Sequence, residues 1–129
     1  MKTAKKYKKR FASSIDAFTF GVFVDSQLVG VVTLIREQLI KLSHKANIVA
    51  MYIKPEKRGN SLVKALITKA IEQAYNMEGI EQIYLSVVTT NIPVKKLYVS
   101  CGFEVFGKDK RALKFDNTYY DEEYMVLVL

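Results

Sequence analysis

Between Phe18 and Ile35 the chain is dense in β-branched and aromatic residues, broken once by the polar residues Asp25, Ser26 and Gln27. Such side chains suit a pleated, half-buried surface and a short polar break suits a turn, so two antiparallel strands are expected, Phe18–Val24 and Leu28–Ile35. The polar stretch from Arg36 to Lys45 reads as a loop, and Ile48–Ile53 as a third strand. Pro55 closes that strand because it has no N–H to give to a ladder. The period then changes. Leu62, Leu66, Ala70 and Ala74 fall in one line flanked by Ala65, Ile67, Ile71 and Tyr75, the stripe of an amphipathic helix that starts at Ser61 and is terminated by Gly79. Ile83–Val88 is a nearly unbroken apolar run, the pattern of a strand buried on both faces. Strand, helix, strand in this order predicts a crossover unit in which Ile48–Ile53 and Ile83–Val88 are parallel and the helix covers them. Thr89, Thr90 and Asn91 then supply capping side chains, Pro93 suits a first turn, and Val94, Leu97, Tyr98 and Cys101 recur at helical spacing up to Gly102. From Phe103 to Leu129, two β-rich runs around Asp116 and Asn117 predict a closing hairpin. The pattern is that of an α/β (by some schemes α+β) fold, a mixed central sheet with flanking helices in one domain, 1–129.

Half of the 129 residues are hydrophobic, enough to close one core. No window reaches the roughly 18 to 20 apolar residues of a membrane span, and the N-terminus runs into lysines rather than a signal-peptide core, so a cytoplasmic protein without membrane attachment is expected. Cys101 is the only cysteine, which excludes an internal disulfide framework and a cysteine-based zinc site, and no metal site is expected. The net charge is +7, and six of the twenty basic residues stand in the first ten positions. Such a stretch is a solvated terminus or helix face, or neutralises the phosphates of an anionic cofactor or a nucleic acid. A nucleic-acid-binding module would rest on this segment alone, since no aromatic–basic RNA motif or helix-turn-helix signature accompanies it.

Two segments in the right order carry a resemblance. Met51-Tyr52-Ile53-Lys54-Pro55-Glu56-Lys57-Arg58-Gly59-Asn60-Ser61-Leu62-Val63 is similar to the central motif of the GNAT superfamily of N-acetyltransferases, where a strand ends in a Pro-Glu turn followed by an Arg/Gln-x-x-Gly-x-Gly/Ala loop and a helix. Asn91-Ile92-Pro93-Val94-Lys95-Lys96-Leu97-Tyr98-Val99-Ser100-Cys101-Gly102-Phe103 resembles the next motif of that family, Asn-x-x-Ala-x-x-Leu-Tyr-x-x-x-Gly-Phe, at matching spacing. The tail Tyr120-Asp121-Glu122-Glu123-Tyr124-Met125 resembles its last strand, so the likeness runs from about Phe18 to the C-terminus. The resemblance implies transfer of the acetyl group of acetyl-CoA to a primary amine of a small molecule, peptide or protein.

It also implies site residues. Acetyl-CoA would lie between Ile48–Ile53 and Ile83–Val88, held by Met51, Tyr52, Ile53 and Asn91, with its pyrophosphate over Arg58, Gly59, Asn60, Ser61, Leu62 and Val63. A loop that opens a helix offers unpaired N–H groups and the positive end of the helix dipole, a ready anion site. Ser61 and Val63 stand where the family pattern has glycines, so crowding of the loop is expected and Val63→Gly should tighten binding. Tyr98 is placed by the resemblance beside the thioester sulfur, as the acid that protonates the departing thiolate. Ordinary values of about 10 for a phenol and 8.5 for a thiol make that donation inexpensive. Asn91 contacts the cofactor or caps the helix. No carboxylate lies within Ile48–Ile53 to serve as a base for the amine; Asn47, Glu56, Glu37 and the sole histidine, His44, stand nearby in the sequence, and none of them is assigned that role. The departures at Ser61 and Val63 and the missing carboxylate also suit a relative that binds acetyl-CoA without turnover.

Only about seventeen residues precede the first expected strand. Tyr7–Ile15 reads as the end of a helix, the first strand of the family is absent, and the open sheet edge predicts a homodimer through Phe18–Ile35 or through the uncharged Met125–Leu129 run of the C-terminal strand Tyr124–Leu129.

Overall fold

The computed structural model describes residues 10–12, 15–57 and 60–129. Its strands form a single sheet in the order β1-β2-β3-β4-β5-β7-β6. β1 (Arg10–Ala12) and β2 (Ile15–Val24) are antiparallel, as are β2 and β3 (Gln27–Arg36). The turn between β2 and β3 is Asp25-Ser26, both at positive φ (51° and 68°), the conformation whose twist matches the flanking strands of a tight hairpin. After a loop with a 3₁₀ turn at Ile40–Leu42, β4 (Lys45–Ile53) pairs antiparallel with β3. A second 3₁₀ turn, Pro55–Lys57, leads to helix α1 (Asn60–Tyr75). β5 (Gln82–Val88) lies parallel to β4, α2 (Ile92–Ser100) follows it, and β6 (Glu104–Phe115) and β7 (Thr118–Val128) close the chain as a hairpin. Asp116 and Asn117, again at positive φ (54° and 61°), make its turn.

The alternation of side chains across a strand assigns one face of the sheet to the helices. Phe18, Phe20, Val22, Val32, Leu34, Ala46, Ile83, Leu85 and Met125 are buried there against Leu66, Ile67, Ala70 and Ala74 of α1 and Leu97 of α2. At about 25 cal/mol per Å² of apolar surface removed from water, this shared core is the main source of stability. Gly102, at φ +103°, turns the chain out of α2 into β6, and the N–H of Phe103 returns to the Tyr98 carbonyl at 3.1 Å.

Several expectations need correction. The segment read as a helix end is, at Arg10–Ala12, a strand: its backbone takes up the edge of β2 with Arg10 opposite Thr19 and Phe11 opposite Phe18. β2 starts at Ile15 rather than Phe18, and α1 ends at Tyr75, with Gly79 (φ +84°) forming the later turn into β5. β5 is not buried on both faces: Ile83, Leu85 and Val87 are buried while Tyr84, Ser86 and Val88 are not, because among the described residues no helix covers the face opposite α1. The C-terminal strand is no edge. β7 sits between β5 and β6, so its uncharged run cannot pair with a second copy, and among the described residues the sheet edges are β1 and β6.

β4 and β5 touch at one end only. Lys45, Ala46 and Asn47 pair with Gln82, Ile83 and Tyr84, and the strands diverge beyond. The closed end is tied by the His44 carbonyl, which accepts from the Glu81 N–H (2.8 Å), and by Arg36. Its guanidinium donates from Nε to Asp16 Oδ2, from Nη1 to the Ser43 carbonyl and from Nη2 to the Glu78 carbonyl, each at 2.6 Å. No helix among the described residues is long and apolar enough to cross a membrane.

Candidate active site

The divergence of β4 from β5 opens a cleft of about 780 Å³, within the ordinary range of ligand pockets. One wall is Ile48 to Ile53, the other Leu85 to Val88; Asn91, Pro93, Val94 and Tyr98 of α2 and its approach, Val63 of α1 and Glu122 of β7 complete it.

The β4 wall is not a regular strand. Val31 pairs with Tyr52 and Thr33 with Val49, so Ala50 and Met51 together face Val32. This is a β-bulge, and Ala50 stands in it at φ +56°, a conformation that costs a residue with a side chain about 1–2 kcal/mol. The extra residue changes the parity of the strand. Ala46 and Ile48 face the core before it, Ile53 and the partly buried Met51 after it, and Val49 and Tyr52 turn to the open face. The bulge also breaks the ladder within the cleft wall, which frees backbone groups for a bound molecule.

Tyr98 is packed against Phe103. Its ring meets Phe103 at 6.0 Å between centroids and its side chain is only 5% exposed, yet it lines the cleft. Its hydroxyl makes no hydrogen bond to another described residue and is not sealed from the cleft. Burial, and secondarily the neighbouring Cys101, pushes its pKa up to about 12. The group therefore stays a neutral donor across the physiological range. Asn91 lies at the start of α2 but its side chain does not cap the helix; the backbone serves instead, its carbonyl accepting from the Lys95 N–H at 3.1 Å. Asn91 itself lines the cleft.

Of the other residues singled out in the sequence, Met51, Tyr52, Ile53 and Val63 line the cleft. Arg58 and Gly59 lie outside the described residues, as do Lys2, Lys5, Lys6, Lys8 and Lys9 of the basic segment. Asn60 is the first residue of α1. Ser61, exposed, and Leu62 and Val63, both buried, follow in its first turn. Val63 thus packs into the core where crowding of a loop was expected. No acidic residue occupies this turn to offset the positive end of the helix dipole.

Asn47, Glu56, Glu37 and His44 do not line the cleft. Asn47 Nδ2 donates to Glu37 Oε2 at 2.6 Å, Glu56 lies in the 3₁₀ turn beside Lys54 Nζ at 3.6 Å, and His44 sits at the closed end of the β4–β5 seam. The carboxylate that does line it is Glu122, which sequence reasoning missed. Its position depends on β7 pairing with β5, where Glu122 stands opposite Val88. No local pattern announces that pairing.

Residues 1–124 match the family described as acetyltransferase (GNAT) domain. The chain belongs to the GNAT acetyltransferase family. It is 29% identical over 105 residues to the L-amino acid N-acetyltransferase AaaT of Escherichia coli, covering 81% of this chain and 64% of that protein. To the spermidine N(1)-acetyltransferase of Vibrio cholerae it is 29% identical over 101 residues, covering 78% of this chain and 57% of that one. The chain thus spans less than two thirds of the length of these curated relatives. Among solved structures, a probable acetyltransferase from Staphylococcus epidermidis superposes with a TM-score of 0.76 at 28% identity, covering 87% of this chain and 67% of its own. A GNAT-family acetyltransferase from Streptococcus pneumoniae has the same fold, with a TM-score of 0.81 at 23% identity. The splayed seam, the bulge and Tyr98 lie within residues 1–124, the span that matches the GNAT domain. The donors fit acetyl-CoA: helix-start amides for an anion, broken ladder for amide groups, an apolar slot of Leu85, Val87 and Val94, and a neutral hydroxyl within it.

Proposed function

We propose that the chain is an N-acetyltransferase that moves the acetyl group of acetyl-CoA to a primary amine. The observation that carries this reading is the open β4–β5 seam, into which a bulged strand, a helix start and a buried phenol converge. The first-turn amides of α1, Asn60 to Val63, would receive the pyrophosphate, and the backbone of Met51 to Ile53 and the Asn91 side chain the amide-bearing arm. When bound, acetyl-CoA supplies an activated acyl group; the protein supplies placement and a donor for the sulfur.

Tyr98 is that donor. A phenol at about 12 and a thiol near 8.5 differ by about 5 kcal/mol in proton affinity, so complete proton transfer to the thiolate is costly. The hydroxyl works instead as a fixed hydrogen bond to charge developing on sulfur, strengthened by the burial of its ring.

Calorimetric titration of the full chain with acetyl-CoA, followed by a panel of amines with release of free CoA thiol as the readout, tests the reading. Micromolar binding and thiol release with at least one amine are expected. Absence of binding overturns it.

A further inference from the structure

Four carboxylates crowd the part of the β6–β7 hairpin beside the cleft, and three are engaged. Glu123 holds Lys95 Nζ of α2 at 2.7 Å; Asp121 accepts from the Arg111 N–H at 2.9 Å and lies 3.9 Å from Lys108 Nζ; Asp109 accepts from the Tyr124 hydroxyl at 3.1 Å. The Glu122 side chain makes no hydrogen bond or ion pair with another described residue, and it is the one of the four that lines the cleft.

Strand alternation fixes its side. Glu123 reaches α2 and Met125 is fully buried, so both face the helices, and Glu122 with Tyr124 faces the opposite way. There Glu122 continues the row of Val88 and Ser86, its partners on β5 being on the same face. Tyr98 enters the cleft from the helix side and Glu122 from the bare side of the sheet. The two polar ends of an acyl transfer, the departing sulfur and the arriving nitrogen, need this separation.

We propose that Glu122 receives the acceptor as a primary ammonium, takes its proton, and restricts the acceptor to cationic aliphatic amines that carry no carboxylate beside the nitrogen. The proposal rests on the N-acetyltransferase reading and deepens it. Among the described residues no Lys, Arg or His lines the cleft. The carboxylate of an α-amino acid would meet Glu122 with no cation among the described lining residues to neutralise it, whereas an ammonium gains a carboxylate partner. The methylenes of such an amine find Val49 and Val88 as walls. In the reaction, R–NH₃⁺ gives one proton to the Glu122 carboxylate, and the freed lone pair forms the N–C bond as the C–S bond breaks. The electron pair of that bond leaves on sulfur, facing the Tyr98 hydroxyl, and the thiolate takes its proton from solvent on release. The second nitrogen proton and the one on Glu122 return to solvent, so each turnover yields an N-alkylacetamide, a thiol and one net proton.

The test uses the full chain, with spermidine and L-alanine as probes. Calorimetry of the CoA-saturated protein should show binding of spermidine and none of L-alanine. Glu122→Gln should weaken spermidine binding at least tenfold, leave the Kd for CoA within twofold, and lower kcat/KM for spermidine by about 10² to 10⁴, the usual effect of removing a general base. Formate should restore part of the turnover lost in Glu122→Ala, which a merely structural role would not allow. Transfer to L-alanine in preference to spermidine, or a Glu122→Gln variant with kcat/KM within threefold of the parent, overturns the proposal while leaving the acetyltransferase reading intact. Failure of the parent protein to bind CoA at all overturns that reading, and the role of Glu122 falls with it.

Discussion

Tyr98 illustrates how one buried side chain links stability to chemistry. Its phenol is neutral in the fold up to a pKa of about 12, whereas in the unfolded chain it ionises near 10. A group whose folded value is raised contributes fully below the unfolded value and loses its contribution as pH rises through the folded one. The fold should therefore lose on the order of 2–3 kcal/mol between pH 10 and pH 12 from this residue, and Tyr98→Phe should lack that part of the alkaline transition. At neutral pH the same variant should bind acetyl-CoA as the parent does and turn over roughly 10² to 10³ more slowly, the effect of removing one fixed donor. Denaturant melts across the alkaline range and single-turnover kinetics check the two halves. A parental alkaline slope together with parental kcat would return Tyr98 to simple packing. At this scale the legible residues were those with local punctuation around them: Asn91 and Tyr98 lie in one continuous motif that ends in Gly102-Phe103. Glu122 was illegible because its meaning comes from Val88, which lies 34 positions earlier and becomes its neighbour only through sheet pairing.

Among the elements, α1 shows a departure from the family pattern absorbed by packing. Val63 is 8% exposed in the first turn and belongs to the core cluster. Val63→Gly removes buried apolar surface and places a glycine in a helix, at a combined cost of about 2–3 kcal/mol. We expect a lower Tm and an acetyl-CoA affinity no tighter than the parent, opposite in sign to what loop crowding implied. Thermal melts with and without acetyl-CoA decide between the two. Elements with a strong period, β2 to β5 and both helices, were readable from the chain, as was the hairpin turn at Asp116-Asn117. The short β1 was not, since three residues carry no period and are strand only because the edge of β2 offers them backbone partners. The bulge at Ala50 was hidden for a related reason. Alanine is indifferent in a strand pattern, and only the register of Val31 and Thr33 against β4 shows the extra residue.

Taken whole, the described residues make two unequal parts of one sheet. β2 to β4 carry α1 across their face, while the part made of β5, β7 and β6 is followed by the shorter α2, tied to β7 by Lys95 and Glu123, and the β4–β5 seam joins the parts through three residue pairs. The Arg36 guanidinium and the His44 carbonyl reinforce that same end, so nothing in the sheet's ladder ties the parts at the cleft end. In amide hydrogen exchange this predicts two tiers of protection rather than one. β5, β7 and β6 should open as a unit at a lower free energy than β2 to β4, the larger part retaining its helix. Because the cleft is lined from both parts, a ligand within it binds only when they stand together, and mass action should then slow exchange on both sides of the seam. Exchange of the amides of Ser86 and Met125, read by mass spectrometry with and without acetyl-CoA, should slow more than that of Val22. Equal protection throughout the unliganded sheet would mean the seam is no weak line. With the two tiers present, the molecule's most labile cooperative unit is the one that carries Glu122, and occupancy of the cleft sets how long the fold resists proteolysis.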